Sequence, residues 1–96
     1  MSPINIKKLN KLRKNLDKLD NSFIKLVKKR TEIVKQVLKL KENKSQIVDK
    51  KRIKYILNQI RKKSIKKKID PRITNRIWKN MISSYIDYEK RNFKKK

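Results

Sequence analysis

From Leu9 onward, apolar residues recur at alternating steps of three and four: Leu9, Leu12, Leu16, Leu19, Phe23, Leu26, then Ile33, Val37 and Leu40. That spacing keeps one face of an α-helix apolar along its length, ready for burial against another helix. Neither Pro nor Gly interrupts the pattern, so one helix is expected over residues 5–42, with Asn43 as its left-handed cap. A short connection, residues 44–48, leads to Asp49, a good N-cap for a second helix over residues 50–65. Ile53, Ile56, Leu57 and Ile60 give that helix its apolar face. The basic stretch 62–68 reads as a frayed helix end and loop. Asp70-Pro71 is a strong start signal for a third helix over residues 71–92, a carboxylate cap followed by proline at the first helical position. Its face carries Ile73, Ile77, Trp78, Met81, Ile82 and Tyr85. The basic tail 94–96 is expected to be disordered. The reading is an all-α single domain of three helices, one long and two shorter.

The long helix sets the architecture. At 1.5 Å per residue it would span roughly 55 Å, whereas a compact domain of this size has a radius of gyration of about 13 Å. Two short helices of the same chain cannot cover such a stripe. A second copy must cover the rest, which predicts an intertwined homodimeric helical bundle. A simple parallel coiled coil would leave the two shorter amphipathic helices without a role.

Four polar residues stand on or beside these apolar faces. Arg30 takes a position in the first stripe where the spacing calls for a leucine. A guanidinium cannot shed its proton to escape burial, so it needs an anion or a route to water. Neither Glu32 nor Asp20 is well placed to reach it, which leaves a ligand as the candidate anion. Lys41, eleven residues on, leaves the same face after three turns plus about 20°. The gap between the two cations suits a small dianion, with Val34 and Val37 as an apolar wall. Glu89 continues the Met81–Tyr85 row by one turn, bringing a carboxylate to the end of a buried face. Arg13 flanks the first stripe and would approach the partner's first helix in an antiparallel dimer. For Lys41 the plainer alternative is a snorkelling side chain near a helix end; for Glu89 it is the surface of a fraying last turn.

Composition narrows the chemistry. The 96 residues contain no Cys, no His and no Gly. Thiolate chemistry and disulfides are excluded, a metal site is not expected, and no Gly-rich phosphate loop is possible. No cofactor is implied. No apolar run reaches membrane-spanning length and no signal-peptide core is present, so no membrane partner and a cytoplasmic location are expected. Lys and Arg number 32 against 8 acids, a net charge of +24. Such a field attracts anions of every kind, yet the abundance of Lys, Ile and Asn also fits coding bias, so charge alone identifies no partner. An apolar slot ringed by cations and one carboxylate lacks the parts for hydrolysis, phosphoryl transfer or hydride transfer. It suits a concerted rearrangement of a dicarboxylate, which needs shape, restraint and complementary charge.

The motifs resemble a known family. Leu12-Arg13-Lys14-Asn15-Leu16-Asp17-Lys18-Leu19-Asp20 is similar to the opening LRxxIDxID of the all-helical chorismate mutases. Residues 26–41 resemble their LLxxRxxLVxxVxxxK stretch, with Arg30 and Lys41 on the two family cations. Ile47-Val48-Asp49 followed by Arg52 resembles the segment that opens their second helix, and Asp70-Pro71 with residues 78–89 resembles their third. The resemblance implies an intertwined homodimer that rearranges chorismate to prephenate in aromatic amino-acid biosynthesis. It implies that Arg30 and the partner's Arg13 hold the substrate carboxylates, and that Lys41 and Glu89 face the ether oxygen of the breaking bond. Asp49, Arg52 and Ile53 would line the side where the ring hydroxyl is read, with Tyr85 also against the substrate.

Three positions depart from the family pattern. Ile53 stands where a Glu is usual, Tyr85 where Ser is frequent, and Gln46 where the connection usually has Pro. The first two are closer to the related isochorismate-pyruvate lyases, which share the fold, so that lyase is the alternative activity. A basic helical nucleic-acid-binding dimer is the remote alternative. It would cluster its cations on one outer face and gives no reason to place Arg30 in an apolar stripe, so no nucleic acid is expected as a partner.

Overall fold

The computed structural model describes residues 1–95, and every regular element among them is helical. Helix α1 runs over Pro3–Leu40, α2 over Lys50–Lys66 and α3 over Pro71–Asn92, with a 3-10 turn at Lys44–Gln46 between α1 and α2. The three helices match the sequence expectation in number and order. None is long and apolar enough to cross a membrane. The chain divides into two compact units, Met1–Ile33 and Val34–Lys96.

The first unit is α1 up to Ile33. It begins two residues before the expected start because Ser2 and Pro3 form a cap of their own. Ser2 Oγ accepts from the Asn5 N–H at 3.2 Å, and the Ser2 carbonyl accepts from the Ile6 N–H at 2.9 Å. Pro3 then fills the first helical position, where a missing N–H costs nothing. No residue of α1 is buried. Leu12, Leu16, Leu19, Phe23 and Leu26 are each more than half exposed.

The second unit holds the last turns of α1 together with α2 and α3, and its capping follows the sequence closely. Asp49 Oδ1 accepts from the Arg52 N–H at 3.0 Å to open α2, and Asp70 Oδ1 accepts from the Arg72 N–H at 2.9 Å to open α3. Helices α2 and α3 pack on each other. Between them Ser64, one of the few buried residues, lies 2.7 Å from the Thr74 hydroxyl. Ser64 Oγ also reaches the Ile60 carbonyl at 2.6 Å and Thr74 Oγ1 the Pro71 carbonyl at 3.3 Å, so either hydroxyl can supply the proton of the pair. Such a bond contributes about 1 kcal/mol and also avoids a buried polar orphan.

Two helix ends differ from expectation. Helix α1 stops at Leu40 rather than residue 42, and Asn43 is extended, at φ −125°, instead of left-handed. The left-handed residue is Lys68, at φ 58°. It ends α2 with a crossed pair of bonds, Lys68 N–H to the Ile65 carbonyl at 3.1 Å and Ile69 N–H to the Ser64 carbonyl at 2.9 Å. That is a Schellman arrangement, for which glycine is the favoured residue. The stretch 62–68 is therefore helical to Lys66 and closed, not frayed. The expected disordered tail includes Lys96, which lies outside the described residues.

The cost of a side chain at Lys68 is measurable. A non-glycine residue in the left-handed region costs about 1–2 kcal/mol, and glycine returns part of that through its freer unfolded chain. Lys68→Gly is expected to raise stability by about 0.5–1 kcal/mol in urea unfolding, and Lys68→Val to lower it. A glycine variant no more stable than the parent would contradict the assignment of strain to this residue.

Candidate functional site

The polar residues picked out on the apolar faces of the second unit meet. Lys41, the first residue after α1, donates from Nζ to Glu89 Oε1 at 2.9 Å. The Lys41 side chain is 19% exposed, while the Glu89 side chain keeps only 7%. Glu89 opens the last turn of α3, one turn after Tyr85, so the helical repeat that made the row apolar turns its carboxylate inward. A carboxylate left alone there would be costly, and the ammonium supplies charge and hydrogen bond together. Lysine has three N–H donors, and Glu89 takes one of them.

An open cleft of about 690 Å³ adjoins Lys41, lined also by Val37, Leu40, Gln46, Val48 and Asp49 together with Lys50 and Lys51. Its wall is apolar on the α1 side and cationic around Lys41 and the start of α2. The Asp49 carboxylate at its edge already caps α2. Arg52 lies one turn further, its guanidinium carbon 5.3 Å from the centre of the Tyr55 ring, a separation suited to a cation–π contact. Ile53 and Tyr85 are half-buried. Arg13 and Arg30 are exposed on the part of α1 that forms the first unit. Of the predicted residues, the second unit thus sets Lys41 against Glu89, and Lys41 and Asp49 line one cleft.

Sequence reasoning noticed Gln46 only as a departure from the family pattern and missed its role. Its Oε1 accepts the Glu42 N–H at 2.7 Å and the Asn43 N–H at 3.0 Å, and its side chain lines the cleft. The one available signal was a missing proline in the connection. A second groove, lined by Lys54, Leu57, Asn58, Arg61, Pro71, Arg72 and Asn75, is basic but holds none of the predicted site residues. Among the described residues no group of three or more acids could hold a metal ion.

Chemically, the Lys41–Glu89 pair offers hydrogen bonding and fixed charge beside an apolar wall. It offers no nucleophile. Comparison with known proteins agrees with such chemistry. The model of the family described as chorismate mutase type II matches residues 12–90. A chorismate mutase of Methanocaldococcus jannaschii is 35% identical over 78 residues, covering 80% of this chain and 79% of that protein. No solved structure matches significantly.

The pair makes a stability prediction. Because Lys41 keeps some contact with water, breaking the pair is expected to cost roughly 1–3 kcal/mol, below the range for a fully buried pair. Lys41→Met and Glu89→Leu should each destabilise, and the double variant should recover part of the loss, because no charge is then stranded. Urea unfolding of all four proteins reads the coupling. Losses that add to within about 0.5 kcal/mol would show that the two groups do not depend on each other.

Proposed function

The chain belongs to the chorismate mutase type II family, and from that premise we propose how its own residues carry the reaction. It is an isomerase that rearranges chorismate to prephenate; both comparisons name this activity and neither favours the lyase. In that rearrangement the ether C–O bond breaks as a C–C bond forms within one molecule, so no atom enters or leaves. Negative charge grows on the ether oxygen. Lys41 donates to that oxygen and stabilises the charge as it develops. Glu89 holds the ammonium through Oε1 and so sets the direction in which Lys41 donates.

Arg30 and the Arg13 side chain of a second copy bind the two substrate carboxylates. Asp49 and Arg52 lie toward the ring hydroxyl, with Ile53 and Tyr85 as further walls. The protein works as a homodimer of single chorismate-mutase domains in the cytoplasm. Support for the dimer comes from α1, whose apolar face is largely exposed in one chain and amounts to more apolar surface than a monomer ordinarily leaves in water. The single observation that carries the catalytic reading is the 2.9 Å contact of Lys41 with the buried Glu89.

Purified protein with chorismate, products separated, tests the activity; release of pyruvate from isochorismate without prephenate formation would contradict it. Lys41→Ala is expected to lower kcat by about 10²–10³, more than it raises KM, since its charge acts on the transition state. Arg30→Ala should remove most activity and leave assembly intact. Glu89→Leu, which removes the acceptor that holds the Lys41 ammonium, should lower kcat as well. Near-normal kcat in Lys41→Ala and Arg30→Ala would show that the site lies elsewhere.

A further inference from the structure

We propose that Gln46 is a positioning residue that sets Lys41 for the reaction, an inference that rests on the proposed catalytic role of Lys41. Had α1 continued, the N–H groups of Glu42 and Asn43 would have gone to the carbonyls one turn back. The helix stops at Leu40 instead, with the Lys41 N–H turning to the Leu38 carbonyl at 3.1 Å. The next two N–H groups would be left without partners. One atom, Gln46 Oε1, accepts both, at 2.7 and 3.0 Å.

The residue that supplies this oxygen is itself fixed. Gln46 N–H donates to the Asn43 carbonyl at 3.0 Å, and Ile47 N–H to the Lys44 carbonyl at 3.1 Å. Ile47, next along, is 3% exposed and is the buried hydrophobic residue of the described chain. The backbone just beyond Lys41 is thus tied to a side chain that an adjacent buried residue holds down. A lysine side chain has many rotamers, and its ammonium reaches a defined spot only if its backbone is fixed first. Gln46 also lines the same cleft as Lys41, so the side chain that fixes the backbone and the ammonium it sets lie side by side.

A glutamine that merely ended the helix would affect stability alone, and kinetics in two backgrounds separate the roles. Gln46→Met keeps the length and removes the acceptor. With Lys41 present it is expected to lower kcat about tenfold or more and to leave KM little changed. In the Lys41→Ala background it should alter kcat less than about twofold, because nothing remains to be positioned. Gln46→Glu, which keeps an acceptor oxygen at the same reach, should restore most of kcat. Equal losses in both backgrounds, a change in KM alone, or a normal kcat would overturn the proposal. Should Gln46→Met fail to fold, Gln46→Asn, one methylene shorter, is expected to give an intermediate loss, and an unchanged kcat would overturn it equally.

A second readout needs no turnover. The Lys41 ammonium NMR signal, assigned by its loss in Lys41→Arg and its displacement in Glu89→Gln, should also move in Gln46→Met. An unmoved signal overturns the positioning role. A wild-type protein that does not rearrange chorismate, with the signal moving as expected, would mean that the catalytic reading fails while Gln46 still positions Lys41.

Discussion

An ammonium and a buried carboxylate 48 residues apart in the chain meet at 2.9 Å, where the end of α1 comes against the last turns of α3. Each group would be unfavourable in its place without the other. Glu89 is on the inward side of α3 because the 3.6-residue repeat puts it there, and Lys41 is beside it because α1 stops one residue earlier. The pair therefore couples a helix-termination event to the register of another helix. It also fixes an ammonium that lines an apolar-walled cleft.

A second constraint comes from what the chain leaves uncovered. Leu12, Leu16, Leu19, Leu26 and Ile33 are each 57% exposed or more, and α1 buries no residue at all. At about 25 cal/mol per Å² of apolar surface, a stripe of that length favours association strongly. In the proposed dimer, association would contribute both further core and the second arginine of the site. Folding, assembly and catalysis would share one surface, and stability would depend on protein concentration.

Much of this was legible in the sequence, for local reasons. Asp49, Asp70 and Pro71 are start signals whose chemistry is confined to one turn, and both carboxylates cap as expected. Lys41 stood out because it leaves the same helix face as Arg30, and Glu89 because it continues the Met81–Tyr85 row by one turn. The ends of helices were harder. In a chain without glycine the left-handed closure fell to Lys68, a residue with no preference for it, while Asn43 became extended. The bonds of Gln46 depend on where the chain turns after Lys41, and no pattern of apolar spacing encodes that path. Ser2 was overlooked because its cap lies before the first apolar residue of the stripe.

The claim that a second copy completes the site is tested most directly by mixing two inactive variants. Arg13→Ala and Arg30→Ala, unfolded together in equal amounts and refolded, should form mixed dimers in which one of the two sites draws both arginines from intact positions. With random pairing, activity should return to roughly a quarter of wild type, although each variant refolded alone stays inactive. A mixture no more active than its components would mean that Arg13 and Arg30 serve the same chain's site, and would contradict the shared active site.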